Sequence, residues 1–205
     1  MMLIDDVNQQ CQRGKIMRIT EREIFHICGY AVETNAKQSE QDVSQLYNDF
    51  FENDRESVLR GLGGSRGLGG LGGLGGLGGL GSSRGLGGSC GSRGSHDSHG
   101  SQKGYYGLLW YTEGHEKYFY LLGIEVSGEI KPPENAMLKT APKTTYAVAC
   151  YPGGKDGIEA WTEFFYTDIP NAGYTVNEKL NFYFEYYPKS VDGDYELWVP
   201  VLKSE

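Results

Sequence analysis

Apolar residues in the first quarter of the chain change from an extended pattern to a helical one. Residues 16–34 are rich in apolar and β-branched side chains without a helical period, which predicts one strand or a bent pair of strands. A helix is predicted from Ser39, where Ser39 and Asp42 form a capping-box-like pair, to about Leu59. Its apolar face repeats at spacings of three and four and consists of Val43, Leu46, Tyr47, Phe50 and Phe51.

The part of the chain after residue 104 contains two hairpin patterns separated by a linker and a helix. Residues 105–111 and 117–126 read as the first hairpin, and the prolines around residue 132 mark the linker. A strand over residues 144–151 and a helix that stops at Pro170 follow. The second hairpin consists of residues 182–187 and 195–202.

The two halves therefore have the same order of elements, and their helices also match in sequence. Leu46, Tyr47, Phe50 and Phe51 align with Ala160, Trp161, Phe164 and Phe165. We predict an α+β fold made of two pseudo-symmetric strand–helix–strand–strand units with antiparallel sheets. Pockets favour the seam between such halves, where aromatic walls meet a few polar groups.

A glycine-rich stretch interrupts the first half. Residues 61–94 repeat Gly-Leu-Gly-Gly with Ser-Arg between the repeats, and one leucine every third residue offers little apolar area against the entropy of ordering glycine. We predict a disordered insert over 61–104, a tail over 1–14, and a single domain formed by 15–60 and 105–205. His96 and His99 lie among glycines and serines, so we expect no metal site there.

The charge and the cysteines restrict the function classes. The formal net charge is −8, which disfavours direct nucleic-acid binding and is compatible with cationic ligands. No signal sequence or long apolar run occurs, so we expect a cytoplasmic protein without a membrane partner. The four cysteines form no C-x-x-C motif and are sparse for a secreted scaffold, which predicts free thiols. No cofactor is expected.

Glu185 is the main candidate for a functional residue because it interrupts an aromatic strand, where an unpaired charge is costly. Strand alternation places it on one face with Tyr183 and Tyr187. A carboxylate between tyrosines suits a lipophilic cation through charge and cation–π attraction, and an exposed strand face is the alternative interpretation. The further candidates for the lining of a ligand pocket, each of which is alternatively core, are Tyr106, Leu108, Trp110, Tyr120 and Trp198.

Several short motifs, in this order, resemble the GyrI-like effector-binding domains of AraC-type regulators and of stand-alone bacterial proteins. Trp161 with Phe164 and Phe165, followed by a proline–glycine–tyrosine turn ending at Tyr174, resembles the family's tryptophan helix and turn. Residues 184–187 and 196–201 resemble its glutamate strand and closing strand. The resemblance covers residues 15–60 and 104–203, and the glycine-rich insert departs from it.

The resemblance implies small-molecule binding, with Glu185 as the family's pocket glutamate. The first hypothesis is a sensor or sequestering protein for amphipathic, cationic or aromatic molecules. A hydrolase that uses Glu185 as a general base is an alternative. A third is a protein-binding inhibitor of the gyrase-inhibitor type, so a protein partner stays open. Only about 14 residues precede the first strand, too few for the DNA-binding domain that many family members carry.

Overall fold

The computed structural model describes residues 17–62, 104–114, 116–154 and 157–204. The chain divides into two units, one formed by Met1–Gly64 with Lys103–Glu205 and the other by Ser65–Gln102. The predicted tail, residues 1–14, and nearly all of the predicted insert, residues 61–104, lie outside the described residues. His96 and His99 lie outside them as well.

The first half contains two strands, two helices and a hairpin. Its elements are β1 (Met17–Arg22), β2 (Phe25–Thr34), α1 (Ser39–Glu52), α2 (Arg55–Leu62), β3 (Tyr105–Tyr111) and β4 (Tyr118–Val126). These strands confirm the predicted bent pair and the predicted hairpin. The predicted single helix is divided, because Asp54 adopts a left-handed φ of 55° between α1 and α2.

The predicted capping of α1 is wrong. The cap position is held by Gln38, no side chain caps the helix, and Ser39 is already helical. The Asp42 carboxylate instead accepts a hydrogen bond of 2.6 Å from the Thr34 hydroxyl at the end of β2. This bond fixes the approach of α1 to the strand that precedes it.

The second half repeats this order, with an irregular helix in the middle. The helical run ends at Asn171, one residue past the predicted stop at Pro170, because Pro170 lies in the first turn of the last helical segment, where a missing N–H is tolerated. The elements are β5 (Met137–Ala141), β6 (Thr144–Tyr151), α3 (Gly157–Glu163), a π-helix (Phe164–Asp168), the short turn α4 (Ile169–Asn171), β7 (Tyr174–Val176), a 3₁₀ turn (Glu178–Leu180), β8 (Tyr183–Tyr187) and β9 (Tyr195–Lys203).

The strands form one large antiparallel sheet in the order β1-β6-β9-β8-β3-β4-β2-β5, and β7 pairs separately with β9. The β3–β8 ladder is the seam between the halves. Moving outward from it, β3, β4 and β2 on one side correspond to β8, β9 and β6 on the other. This arrangement confirms the predicted α+β fold of two related antiparallel units, joined here edge to edge rather than face to face.

The first strand of each half is paired with the other half. β1 pairs with β6, so that Met17 lies opposite Ala149, and β5 pairs with β2, so that Met137 lies opposite Gly29. Two residues connect β1 to β2, and two connect β5 to β6. Because such links span only about 10 Å, the two ends of the sheet must lie close together and the sheet must roll up. The sequence pattern did not reveal this exchange.

The rolled sheet has an apolar core on each of its faces. Phe50 and Phe164, the aligned residues of the two helices, are both fully buried in the core between the helices and the sheet. This shared environment agrees with the repeat found in the sequence. The other face encloses a second core formed by Phe25, Ile27, Tyr106, Leu108, Leu121, Ala141, Tyr146, Val148, Phe182, Phe184 and Trp198.

Two cysteines lie in the described part of the chain. Cys28 is a free thiol in the core, and burial raises its pKa. Cys150 is disulfide-bonded, so the prediction of free thiols is wrong for this position. Among the helices of the described residues, none is long and apolar enough to cross a membrane.

Candidate functional site

The Glu185 side chain lies at the middle of the seam and is only 8% exposed. It points to the helix-facing side of the sheet, where three neutral groups donate hydrogen bonds to its carboxylate. The Tyr120 and Tyr187 hydroxyls donate to Oε2 at 2.7 and 2.9 Å, and the Trp161 indole N–H donates to Oε1 at 2.9 Å. One strand of each half and the helix α3 therefore meet at one carboxylate.

Among the described residues, no basic side chain neutralises this carboxylate. None of the ion pairs between described residues involves Glu185. Burial raises the pKa of its carboxyl, and the hydrogen bonds from Tyr120, Trp161 and Tyr187 offset part of that rise. The site thus holds an acidic group that would gain from a positive charge.

Glu196 shows how the same fold treats an ordinary buried glutamate. It is 2% exposed and lies on the other face of the sheet. The Arg18 guanidinium pairs with its Oε1 at 2.6 Å, and the Trp198 indole N–H donates to its Oε2 at 2.9 Å. A buried charge is normally paired in this way. Glu185 also accepts a hydrogen bond from a tryptophan indole, but no arginine of the described residues pairs with it.

A cluster of tyrosine hydroxyls surrounds Oε2 of Glu185. The Tyr47 hydroxyl on α1 is 2.8 Å from that of Tyr120 and 3.5 Å from that of Tyr187. Burial, and then the negative charge of Glu185, raise the pKa of all three phenols. The phenols therefore stay protonated and act as hydrogen-bond donors.

Gly107 makes the meeting of these groups possible. It lies directly opposite Glu185 in the β3–β8 ladder. A Cβ at this position would overlap the Tyr120 hydroxyl and lie 2.7 Å from Glu185 Oε2. The missing side chain leaves the space in which the carboxylate and the hydroxyl form their hydrogen bond.

Two clefts open beside this network. The carboxylate cleft has a volume of about 460 Å³ and is lined by Val43, Ser44, Tyr47, Asn48, Tyr120, Glu185, Tyr187 and Val191. The aromatic cleft has a volume of about 330 Å³ and is lined by Ala36, Ser39, Leu109, Tyr111, Tyr118, Ile158, Trp161, Thr162, Phe165, Tyr166 and Tyr183. Trp161 belongs to the aromatic cleft, and its indole N–H contacts the carboxylate of the other one.

The structure brings together only part of the lining predicted from the sequence. Tyr120 and Tyr187 contact Glu185 directly, and Tyr183 lines the aromatic cleft on the same side of the sheet. Tyr106, Leu108, Trp110 and Trp198 pack on the opposite face, in or against the second core. The register explains the separation, because Gly107, and neither Tyr106 nor Leu108, pairs with Glu185.

Two residues of the site were missed in the sequence. The sequence analysis names Tyr47 in the apolar face of α1 and in the repeat, and Trp161 in the repeat and in the resemblance to the family's tryptophan helix, but it lists neither as a pocket residue. Both reach the carboxylate network, Trp161 directly and Tyr47 through Tyr120. The repeat alignment contained the signal, because it pairs Tyr47 with Trp161. Equivalent positions on two symmetric helices face the same seam.

Searches for known relatives identify the family. The family model of Cass2, an integron-associated effector-binding protein, matches residues 91–201. No curated protein matches the chain significantly. The match covers more than half of the chain and places it among the effector-binding proteins of the GyrI-like type. The chain belongs to the Cass2 family of integron-associated effector-binding proteins.

Solved structures share this fold at low sequence identity. SAV2435 bound to tetraphenylphosphonium matches with a TM-score of 0.60 and 13% identity over 91% of this chain and 94% of that chain. A putative bacterial transcription regulation protein from Staphylococcus aureus MU50 matches with a TM-score of 0.57 and 15% identity, over 92% and 99%. The integron cassette protein VCH_CASS2 of Vibrio cholerae matches with a TM-score of 0.54 and 12% identity, over 91% and 95%.

Proposed function

We propose that the chain binds lipophilic cations at Glu185 and acts as a sensor or sequestering protein for such molecules. One observation carries this proposal. The Glu185 carboxylate is buried, is held by three neutral donors and has no basic partner among the described residues, whereas the equally buried Glu196 is paired with Arg18. A ligand would supply the positive charge that the fold itself supplies to Glu196.

The surroundings of the carboxylate favour a cation that also has apolar surface. Tyr47, Tyr120 and Tyr187 present aromatic rings beside the charge, and Val43 and Val191 add aliphatic area. A cation near such rings gains cation–π attraction as well as the charge interaction. The net charge of −8 adds a long-range attraction for cations.

The comparisons with related proteins also support the binding of lipophilic cations. The family is described as effector-binding. The structure of SAV2435, which shares the fold, contains tetraphenylphosphonium, a cation with four phenyl rings. We carry the chemical class of that ligand to this chain because the Glu185 site has the corresponding charge and aromatic walls.

Isothermal titration with ligands of matched shape tests the proposal. Tetraphenylphosphonium is the cation, tetraphenylborate is an anion of the same shape, and triphenylphosphine oxide is neutral. We expect the wild type to bind the cation and to reject the anion. Glu185→Gln should weaken cation binding about tenfold or more, the scale of a hydrogen bond to a charged group, and should change binding of the neutral ligand much less.

Glu129→Gln is the matched control, because it removes one negative charge from an exposed loop. It should leave cation binding as it is in the wild type. Equal losses in Glu129→Gln and Glu185→Gln would show that only net charge matters. Equal binding of the cation and the anion by the wild type would contradict the proposal outright.

Hydrolysis with Glu185 as a general base is a second candidate, favoured by the burial that raises its pKa. The Glu185 carboxylate would take a proton from water as that water attacks a ring carbon of a strained substrate such as styrene oxide. The C–O bond of the ring breaks, and the alkoxide that leaves takes the proton back from the carboxyl to give the diol. The two functions differ in the Glu185→Gln variant. Loss of diol formation with unchanged tetraphenylphosphonium affinity would favour the enzyme, and loss of cation binding without any turnover in the wild type would favour the binding protein.

A further inference from the structure

We propose that the aromatic cleft is a separate binding subsite for an uncharged aromatic molecule of a few rings. The proposal goes beyond cation binding, because it requires no charge at Glu185. None of the described residues that line this cleft is acidic or basic. Its volume of about 330 Å³ is at the lower end of the range for small-molecule pockets. A small ligand therefore fits it better than a protein segment does.

The walls of the cleft are ring faces and edges. Six of the lining residues are aromatic, namely Tyr111, Tyr118, Trp161, Phe165, Tyr166 and Tyr183. Aromatic pairs favour offset-stacked and edge-to-face arrangements, so a guest ring has several suitable partners. The hydroxyls of Ser39 and Thr162 also line the cleft and offer polar contacts to a substituent. These groups select for aromatic character rather than for charge.

Hydrogen bonds and ring packing hold the wall of the cleft in place. The Asn181 side chain accepts from the Tyr111 N–H and donates to the Tyr111 carbonyl, both at 2.8 Å. This pair of bonds continues the β3–β8 ladder past its last strand pair, Leu109 with Tyr183. The Phe165 ring packs edge-on against Tyr183 at 5.3 Å between centroids. A preformed wall avoids part of the ordering cost of binding.

Large apolar side chains at the mouth of the cleft are left in water. Ile158 is 78% exposed and Tyr166 is 80% exposed, and both line the opening. Tyr166 belongs to the π-helix, an irregular element that occurs often at functional sites. Exposed apolar surface that borders a concave site marks a place where a ligand binds and covers that surface. An aromatic guest would bury these two side chains.

Trp161 keeps the two clefts chemically distinct. Its indole N–H is bonded to Glu185 at 2.9 Å, and its ring stacks on Phe165 at 5.4 Å and 27°. The polar edge of the indole is thus used at the carboxylate, and its ring contributes to the wall of the aromatic cleft. A neutral guest can stack against that wall without displacing the hydrogen bond.

Fluorescence titration with N-phenyl-1-naphthylamine tests the proposal, because this neutral probe brightens in apolar surroundings. We expect the wild type to bind it and Glu185→Gln to bind it within about twofold of the wild type. Two different changes to the cleft should each weaken probe binding about tenfold. This is the size of loss expected when one exposed ring no longer packs on the bound probe. One is the double change Ile158→Ser with Tyr166→Ser at the mouth, and the other is Thr162→Trp, which fills the cleft.

Leu202→Ser is the matched control, since Leu202 is a half-exposed apolar residue of β9 that does not line the aromatic cleft. It should leave probe affinity unchanged. The proposal is overturned if the probe does not bind, or if Glu185→Gln removes probe binding as fully as it removes cation binding, because the clefts would then be one site. It is also overturned if the double change Ile158→Ser with Tyr166→Ser alters the mass measured by sedimentation without altering probe affinity. These two side chains would then form a contact between copies of the chain.

Discussion

The Gly107→Ala variant tests whether the seam is packed as the structure shows. Alanine suits a strand better than glycine by about 0.5–1 kcal/mol, so the change would stabilise an unconstrained position. At Gly107 the new methyl group would overlap the Tyr120 hydroxyl and crowd Glu185 Oε2. Overpacking costs about 1–3 kcal/mol, and a lost hydrogen bond to the carboxylate costs about 1.5–3 kcal/mol. The net expectation is a loss of about 2–5 kcal/mol.

Urea unfolding measures this loss, and tetraphenylphosphonium titration measures its effect on the site. Gly157→Ala is the control, because no atom of the described residues beyond its chain neighbours and its own helix backbone lies within 4 Å of a Cβ at Gly157, and its φ is not left-handed. That variant should be as stable as the wild type or slightly more stable.

A second background localises the effect of the added methyl group. In Tyr120→Phe the hydroxyl that the methyl overlaps is gone, so Gly107→Ala should cost at least about 1 kcal/mol less there than in the wild type. A Gly107→Ala protein with wild-type stability and wild-type cation affinity would refute the described meeting of Gly107, Tyr120 and Glu185. Equal costs in the two backgrounds would show that the methyl group clashes elsewhere.

Three further predictions address pH, the second buried glutamate and the insert. Burial raises the pKa of Glu185 above the ordinary value of about 4.3, so the folded state binds this proton more tightly than the unfolded state does. As the pH falls through the raised pKa, the wild type should gain stability relative to Glu185→Gln in urea unfolding and should lose cation affinity. Glu196→Gln should cost about 1–3 kcal/mol, because Arg18 loses its partner, and cation affinity measured by titration should not change. With the disulfide of Cys150 reduced in both proteins, deletion of Ser65–Gln102 should shift the unfolding free energy by only about 1 kcal/mol, because loop closure depends weakly on length, and a collapsed midpoint would show that the segment is structural.

The local pattern was sufficient to predict the α+β fold and to single out Glu185, whose role in binding stays a prediction. A charge in the run of aromatic residues around Glu185 is a local anomaly, and alternation places Tyr183 and Tyr187 on its face without any knowledge of the neighbouring strands. The order of elements in the two halves is also readable from apolar spacing alone. These features depend on residues close together in the chain.

The pattern failed where the answer depended on pairing between distant strands. Trp110 was grouped with Glu185 because each lies in an aromatic strand, but the β3–β8 register places them on opposite faces. Nothing near Trp110 in sequence encodes that register. The missed role of Trp161 is different, because an apolar ring on a helix normally reads as core, and only its match with Tyr47 across the repeat points to the seam.

The pairing of Gly107 with Glu185 at the middle of the seam explains why this site requires two unlike halves in one chain. In a dimer of identical halves, the positions that correspond to Gly107 and Glu185 would both carry the same residue type. Two glutamates would then place two carboxylates face to face, and two glycines would leave none. A single chain that contains both halves can hold different residues at the two positions. The exchange of β1 and β5 joins the halves at their outer strands as well as at the seam. A difference at one residue pair is then sufficient to place one carboxylate at the centre of a near-symmetric sheet.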